Sequence, residues 1–266
     1  MKYTLRDYQK QASDAAVKSF LSSKKTNGLI IVSTGGGKSL IIADIASRLN
    51  SSLIVLCPSK EILQQNFEKL QSYGILDCAC YSASVGCKDI NRITFATIGS
   101  VMNHMNDFRH FKYVLIDEVH VVNSRGGMYE KFINSENRQV VGLTATPRDD
   151  VDKNTYKFFQ LENNVPTFVY EYDEAVKQKY LVDYHTISTT TKFIERGIKY
   201  SELKEEDREE YENLFEEGEV QEEISSSAIN SWLFNRDTIK IILETVMQKG
   251  LKVEGGDKLR KNYNIC

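Results

Sequence analysis

Two short stretches of this 266-residue sequence carry residues whose types and spacing suit phosphate chemistry. In Ser33-Thr34-Gly35-Gly36-Gly37-Lys38-Ser39, glycines let backbone N–H groups wrap phosphate oxygens, Lys38 supplies charge for the β and γ phosphates, and the Ser39 hydroxyl suits Mg²⁺. The strict form of such a loop has glycine where Val32 stands, and three glycines also suit a plain turn. In Ile116-Asp117-Glu118-Val119-His120, two adjacent carboxylates have separate roles. Asp117 would hold Mg²⁺ through water, and Glu118 would orient and deprotonate the attacking water. His120 beside them suits either that site or simple packing. Thr144 and Thr146, in Gly142-Leu-Thr-Ala-Thr-Pro147, offer hydroxyls placed to sense the phosphate end, although alone they mark only a strand terminus. Near the N-terminus, Gln9 has an amide able to pair with adenine N6 and N7, which would select ATP over GTP.

Such residues need elements to hold them. Leu29 to Val32 is a short apolar run that flows into the glycine loop and then into the helical pattern Leu40, Ile41, Ala43, Ile45, Ala46, Leu49. Further apolar runs at 53–57, 93–96, 113–116 and 139–143 alternate with helical patterns at 8–21 and near 61–73. This alternation predicts an α/β fold with a doubly wound parallel sheet, whose ligands sit at the carboxyl ends of the strands. Every candidate above except Gln9 lies just after a strand. Beyond Pro147 the pattern turns mixed as far as Tyr184, alternates over 186–193, becomes acidic, and ends in a helix expected over 237–248. The expected organisation is therefore a nucleotide-binding domain over 1–148 and a partly irregular extension over 149–266, with an acidic insert at about 201–224.

Composition narrows the class. Hydrophobic residues at 41% and charged residues at 27%, with 15 Gly and 3 Pro, describe an ordinary folded protein and exclude collagen-like and low-complexity chains. No stretch approaches the roughly 18 apolar residues of a membrane span and no signal-peptide pattern opens the chain, so the expectation is a cytoplasmic protein with no membrane partner. Five cysteines, an odd count without a C-x-x-C pair, predict reduced thiols instead of disulfides or zinc, with Cys78 and Cys80 filling a strand. The net charge of -3 conceals a segment, Glu202 to Glu223, with a local charge of -10, which leaves +7 on the remainder. A mildly basic body permits a polyanionic partner.

The segments Leu5-Arg6-Asp7-Tyr8-Gln9, Ser33 to Ser39, Cys57-Pro58-Ser59-Lys60, Phe95-Ala96-Thr97, Asp117-Glu118-Val119-His120 and Thr144-Ala145-Thr146-Pro147 resemble, in order, the Q motif and motifs I, Ia, Ib, II and III of superfamily 2 helicases and translocases. Val119 stands where relatives often carry Ala or Cys. The resemblance implies a first RecA-like domain that uses ATP and Mg²⁺, with Arg6 and Gln9 joining Thr34 to Ser39 in binding ATP. It also implies nucleic-acid contacts from Pro58, Ser59, Lys60, Thr97, Gly99 and Ser100, of the kind that grip a backbone without reading sequence. A kinase or GTPase of the P-loop class has no place for Cys57-Pro-Ser-Lys60 or Thr144-Ala-Thr-Pro147.

Later segments, Asp152 to Tyr156, Pro166 to Glu171, Tyr180 to Tyr184 and Lys249 to Lys258, resemble the restriction subunit of type I restriction enzymes. The motifs leave DNA and RNA undecided, whereas this second resemblance favours duplex DNA and restriction-modification subunits as partners. The superfamily resemblance further implies a second RecA-like domain, or a partner chain, supplying an arginine finger worth roughly 10³ to 10⁵ in rate. Without it the expectation is MgATP binding with weak or no turnover; the alternative is a non-enzymatic nucleotide- or DNA-binding module completed by a partner. Residues 260–266 depart from the resemblance, yet one permitted coding of them, read one base out of phase, gives the expected Gly-Lys-Thr-Ile-Ile-Phe. A truncating frameshift is the corresponding expectation, to be checked by sequencing the locus.

Overall fold

The computed structural model describes residues 4–23, 27–123, 126–149 and 154–184, and beyond them 198–199, 223–224, 243–245, 247–248, 252–253 and 258–259. Two compact units divide the chain, Met1–Asp183 and Tyr184–Cys266.

In the first unit the apolar runs form β1 (Gly28–Val32), β2 (Leu53–Cys57), β5 (Ile93–Thr97), β6 (Tyr113–Ile116) and β7 (Gln139–Thr144), joined by β3 (Cys78–Ser82), β4 (Cys87–Lys88) and β8 (Phe168–Tyr170). They make one sheet of order β4-β3-β5-β2-β6-β7-β1-β8. Every neighbouring pair is parallel except β3 with β4. Strands buried on both faces read as continuous apolar runs, which is why Gly28–Val32 and Leu53–Cys57 lack polar alternation. Alternate residues then serve opposite layers. Ile30, Val32, Val55, Leu115 and Leu143 pack with Tyr8, Ala12, Ala16 and Phe20 of α1 (Asp7–Leu21), with α2 (Lys38–Arg48), and with α3 (Lys60–Ser72). Leu29, Ile31, Ile54, Leu56 and Ile116 pack with Phe108, Phe111, Phe132 and Phe159 on the other side, where α4 (Ile98–Met102), α5 (Met128–Asn134) and α6 (Thr155–Phe158) lie. The doubly wound α/β sheet expected from the sequence is the observed architecture.

A buried polar clamp fixes α1 on α2. The Ser13 hydroxyl donates to Asp44 Oδ2 at 2.5 Å, and Arg48 Nη1 reaches both Asp44 (3.3 Å) and Asp14 (2.7 Å). The clamp joins the middle of α1 to the C-terminal half of α2.

The sheet continues past the last motif. β8 runs parallel to β1, with Val32 opposite Tyr170, and α7 (Tyr172–Lys177) follows it. The first compact unit runs to Asp183, and Phe168–Tyr170 lies at the sheet edge beside β1. A three-residue strand has no periodicity of its own and takes its order from its neighbour.

The expectation of reduced cysteines is corrected: Cys80 and Cys87 are disulfide-bonded, with Cα atoms 5.6 Å apart. β4 returns antiparallel beside β3, with Ser82 opposite Cys87, and that hairpin supplies the approach a disulfide requires. Cys57 and Cys78 are free and buried.

In the second unit Ile198–Lys199 pairs antiparallel with Glu223–Ile224, and Lys252–Val253 with Lys258–Leu259. Helical residues 243–245 and 247–248 fall within the helix expected over 237–248. The alternating stretch 186–193, the interior of the acidic insert and residues 260–266 lie outside the described residues. Among the described residues no helix is long and apolar enough to cross a membrane.

Candidate nucleotide site

The glycine loop between β1 and α2 is held in shape from three directions. Gly35 and Gly37 sit in the left-handed region, at φ 81° and 80°, where a Cβ is strained. A Cβ on Gly37 would also lie 2.5 Å from Gln9 Nε2. Val32, the departure from the strict loop pattern, is fully buried at the end of β1, and its Cγ1 occupies the space that a Cβ on Gly36 would need. From α1, the Tyr8 hydroxyl donates to Gly36 O at 2.8 Å and Gln9 Nε2 donates to the same carbonyl at 3.1 Å. From β8, Tyr170 O accepts from Ser33 N at 3.3 Å. Helix α2 starts at Gly37 with no side-chain cap, so its first N–H groups remain for an anion, assisted by the helix dipole.

Gln9 does not stand ready for the bidentate adenine contact. Its Nε2 faces Gly36 O and Tyr8 Oη, and its Oε1 accepts from Arg6 N at 2.9 Å. The residue is 4% exposed, and one Oε1 lone pair is left over. Here Gln9 joins the N-cap of α1 to the loop. The Arg6 guanidinium lies 4.4 Å over the Tyr180 ring, and Tyr8 stacks on Tyr170 with centroids 3.9 Å apart. Tyr170 and Tyr180 come from the stretch to which sequence reasoning gives no part in the site, and no signal in the sequence marks them.

Strand order brings the other candidates to this loop. β7 lies between β1 and β6, so Thr144 stands between the glycine loop and the carboxylates that follow β6. Lys38 Nζ meets Glu118 Oε1 at 2.5 Å. The other oxygen of Glu118 is 3.4 Å from His120 Nδ1, which is 3.0 Å from Thr144 Oγ1. Thr144 is fully buried and also accepts from Thr146 N, whereas Thr146 is exposed. Glu118 is a non-glycine residue in the left-handed region, φ 50°.

Asp117 is 3% exposed. Its Oδ1 accepts from Glu118 N at 3.0 Å and its Oδ2 from Asn66 Nδ2 at 2.6 Å. Burial and the adjacent Glu118 raise its carboxyl above the ordinary carboxylate range, against the Asn66 hydrogen bond and the Lys38 charge. Burial also pushes the His120 imidazole below its ordinary range, opposed by Glu118 and reinforced by Arg148 and Lys38. Asn66, 6% exposed, also accepts from the Ser39 hydroxyl at 2.8 Å. Sequence reasoning overlooks Asn66, although the signal is present: it stands on the buried stripe Leu63, Asn66, Leu70 of α3, a polar residue at an apolar position.

The residues expected at nucleic acid follow β2 and β5, which are neighbours with Cys57 opposite Thr97. All three of their hydroxyls already have partners within the chain, Thr97 Oγ1 lying 3.1 Å from Ser82 Oγ. Ser59 caps α3, accepting from Ile62 N at 3.3 Å. Ser100, 9% exposed, accepts from Ala83 N at 2.9 Å and meets Thr97 Oγ1 at 3.0 Å. Lys60 and Gly99 are exposed, and Pro58 is half-buried between β2 and α3.

Among known proteins, the family described as "Type III restriction enzyme, res subunit" matches residues 2–149. A DNA 3'-5' translocase, XPB2, of Sulfurisphaera tokodaii is 31% identical over 152 residues, covering 56% of this chain and 32% of the translocase. The chain therefore spans about a third of that curated relative. The UvsW helicase from bacteriophage T4 aligns at 18% identity and TM-score 0.48, over 62% of this chain and 59% of its own. The Sulfolobus solfataricus SWI2/SNF2 ATPase core, solved in complex with dsDNA, aligns at 22% identity and TM-score 0.48, over 66% and 39%. The family match covers more than half of the chain and falls on the sheet and loops just described: the chain belongs to the type III restriction enzyme res-subunit family and carries a RecA-like domain of the superfamily 2 helicase type.

Proposed function

We propose that this chain is the ATP-binding motor domain of a DNA translocase related to type I restriction motors, coupling MgATP hydrolysis to movement on duplex DNA. The observation that carries this reading is the Lys38–Glu118 ion pair at 2.5 Å, which joins the glycine loop to the carboxylates after β6. Lys38 is the phosphate-binding cation and Glu118 the general base, each occupied by the other while no phosphate is present. The γ-phosphate draws Lys38 away and frees Glu118 to hold the attacking water and take its proton. His120 Nδ1 lies between the second oxygen of Glu118, 3.4 Å away, and Thr144 Oγ1 on β7, 3.0 Å away, and a proton on it would be offered to either, so the state of the base would reach Thr146 through the Thr144 hydroxyl.

The metal-facing residues fit Mg²⁺. Ser39 and Asp117 offer hard oxygen donors, and the described residues hold no group of three or more His, Cys, Asp or Glu that would cage an ion without phosphate. Bound there, Mg²⁺ would neutralise charge on the β and γ phosphate oxygens. Arg6 and Tyr180, both exposed, would stack on the base. Lys60 and Gly99 would meet the DNA backbone along the same sheet edge. A second RecA-like lobe, covalently attached or from a partner chain, would supply the arginine finger.

ATP hydrolysis with and without duplex DNA tests the reading. Slow turnover that DNA raises, and that Lys38→Ala and Glu118→Gln both abolish, is expected. Turnover that survives either substitution would overturn it.

A further inference from the structure

Asn66 is a buried side-chain amide that bridges the two residues assigned to the metal. A hydroxyl that ligates a cation must point a lone pair at it and its proton elsewhere. Asn66 Oδ1, 2.8 Å from Ser39 Oγ, accepts that proton. An aspartate that holds the metal through water needs its carboxylate fixed by donors outside the coordination sphere, and Asn66 Nδ2 donates to Asp117 Oδ2 at 2.6 Å. The amide orientation is not free: a carboxylate accepts only, so the NH₂ group must face Asp117 and the carbonyl must face Ser39. The remaining Nδ2 contact, with Cys57 Sγ at 4.0 Å, accords with the same orientation. At this size the amide is the side chain that carries its acceptor and its donor on two separate atoms, one for each ligand. Aspartate lacks the donor, and leucine, the type that flanks the position on the stripe, lacks both.

We infer that Asn66 is a positioning residue for Mg²⁺, aligning Ser39 and Asp117 by opposite ends of one amide. This role rests on the reading of those two residues as metal-facing. Helix α3 carries this amide inward two turns beyond Ser59 and Lys60, so the segment that begins at the candidate DNA edge also sets the metal site.

The test is ATP binding measured by calorimetry in Mg²⁺ and in EDTA, for the wild-type chain, Asn66→Ala and Asn66→Leu. Residues that orient metal ligands typically contribute about 10- to 100-fold in metal affinity. Both variants are therefore expected to bind ATP in EDTA within about twofold of wild type, and to lose about tenfold or more of the gain that Mg²⁺ confers. A merely structural role would weaken binding equally in both buffers and would overturn the inference. A Mg²⁺ gain that survives in both variants would overturn it while leaving the reading of the site intact. A wild-type chain with no Mg²⁺ gain would overturn both. Leucine is the residue type that flanks the position on the stripe, so Asn66→Leu decides the matter if Asn66→Ala does not fold.

Discussion

Glu118 is held by Lys38 on one oxygen and faces His120 on the other, on a backbone conformation that costs a non-glycine residue about 1–2 kcal/mol. Strain of this kind persists where surrounding contacts determine it. The ion pair competes with phosphate for Lys38, so removing the charge of Glu118 frees the lysine. Glu118→Gln is expected to bind MgATP several-fold more tightly than wild type, since a pair whose side chains are only 15% and 22% exposed is less screened than a surface pair. Weaker binding by this variant in a calorimetric titration would contradict the competition. His120 yields a second prediction. Burial holds its folded-state pKa low, so as pH falls through about 6.5 the unfolded chain takes up this proton first and stability drops. The loss stops growing once the folded imidazole titrates in turn. Urea midpoints at pH 7.5 and pH 5.5 should therefore differ less for His120→Gln than for wild type, and equal differences would dismiss the role assigned to burial.

At the scale of elements, β7 carries Thr144 to the site by lying flat against its neighbours. A Cβ on Gly142 would collide with the Phe159 ring and come within 3.0 Å of Val119. Gly142→Ala is expected to lower stability by about 1–3 kcal/mol through overpacking, read from the shift of the unfolding midpoint, and a neutral result would mean that α6 repacks freely. The strands that bear the site were legible in the sequence because each is a short apolar run ended by glycine, proline or carboxylates. β8 was not, because its three residues owe their order to β1 and α7. The Cys80–Cys87 pair was hidden for a related reason: a separation of seven residues closes only when β4 turns back on β3, and β4 has two residues. Gln9 was recognised as part of the site, but the partner of its Nε2 is a loop carbonyl 27 residues away, and spacing alone does not identify such a partner. Asn66 was legible in principle, as the polar member of an apolar stripe. Packing asparagines occupy such positions too, and only the contacts with Ser39 and Asp117 separate the two cases.

Across the first unit, strand order arranges two kinds of chemistry along one edge. The carboxyl ends of β1, β7 and β6 carry the glycine loop, Thr144 and the carboxylates, while those of β2 and β5 carry Pro58 to Lys60 and Thr97 to Ser100. β2 and β6 are neighbours, so the boundary between the nucleotide half and the candidate DNA half falls between them, and α3 spans it from Ser59 to Asn66. The proposed motor would need this proximity, since a change at the γ-phosphate would have to reach the DNA. The central claim is that the loop after β1 is a nucleotide site whose cation is Lys38. Calorimetric titration of MgATP into the wild-type chain and Lys38→Ala tests it most directly. Saturable binding by wild type, weakened at least about tenfold in Lys38→Ala with folding unchanged by circular dichroism, is the predicted result. Absence of saturable binding by wild type, or equal affinity in the two proteins, would contradict it.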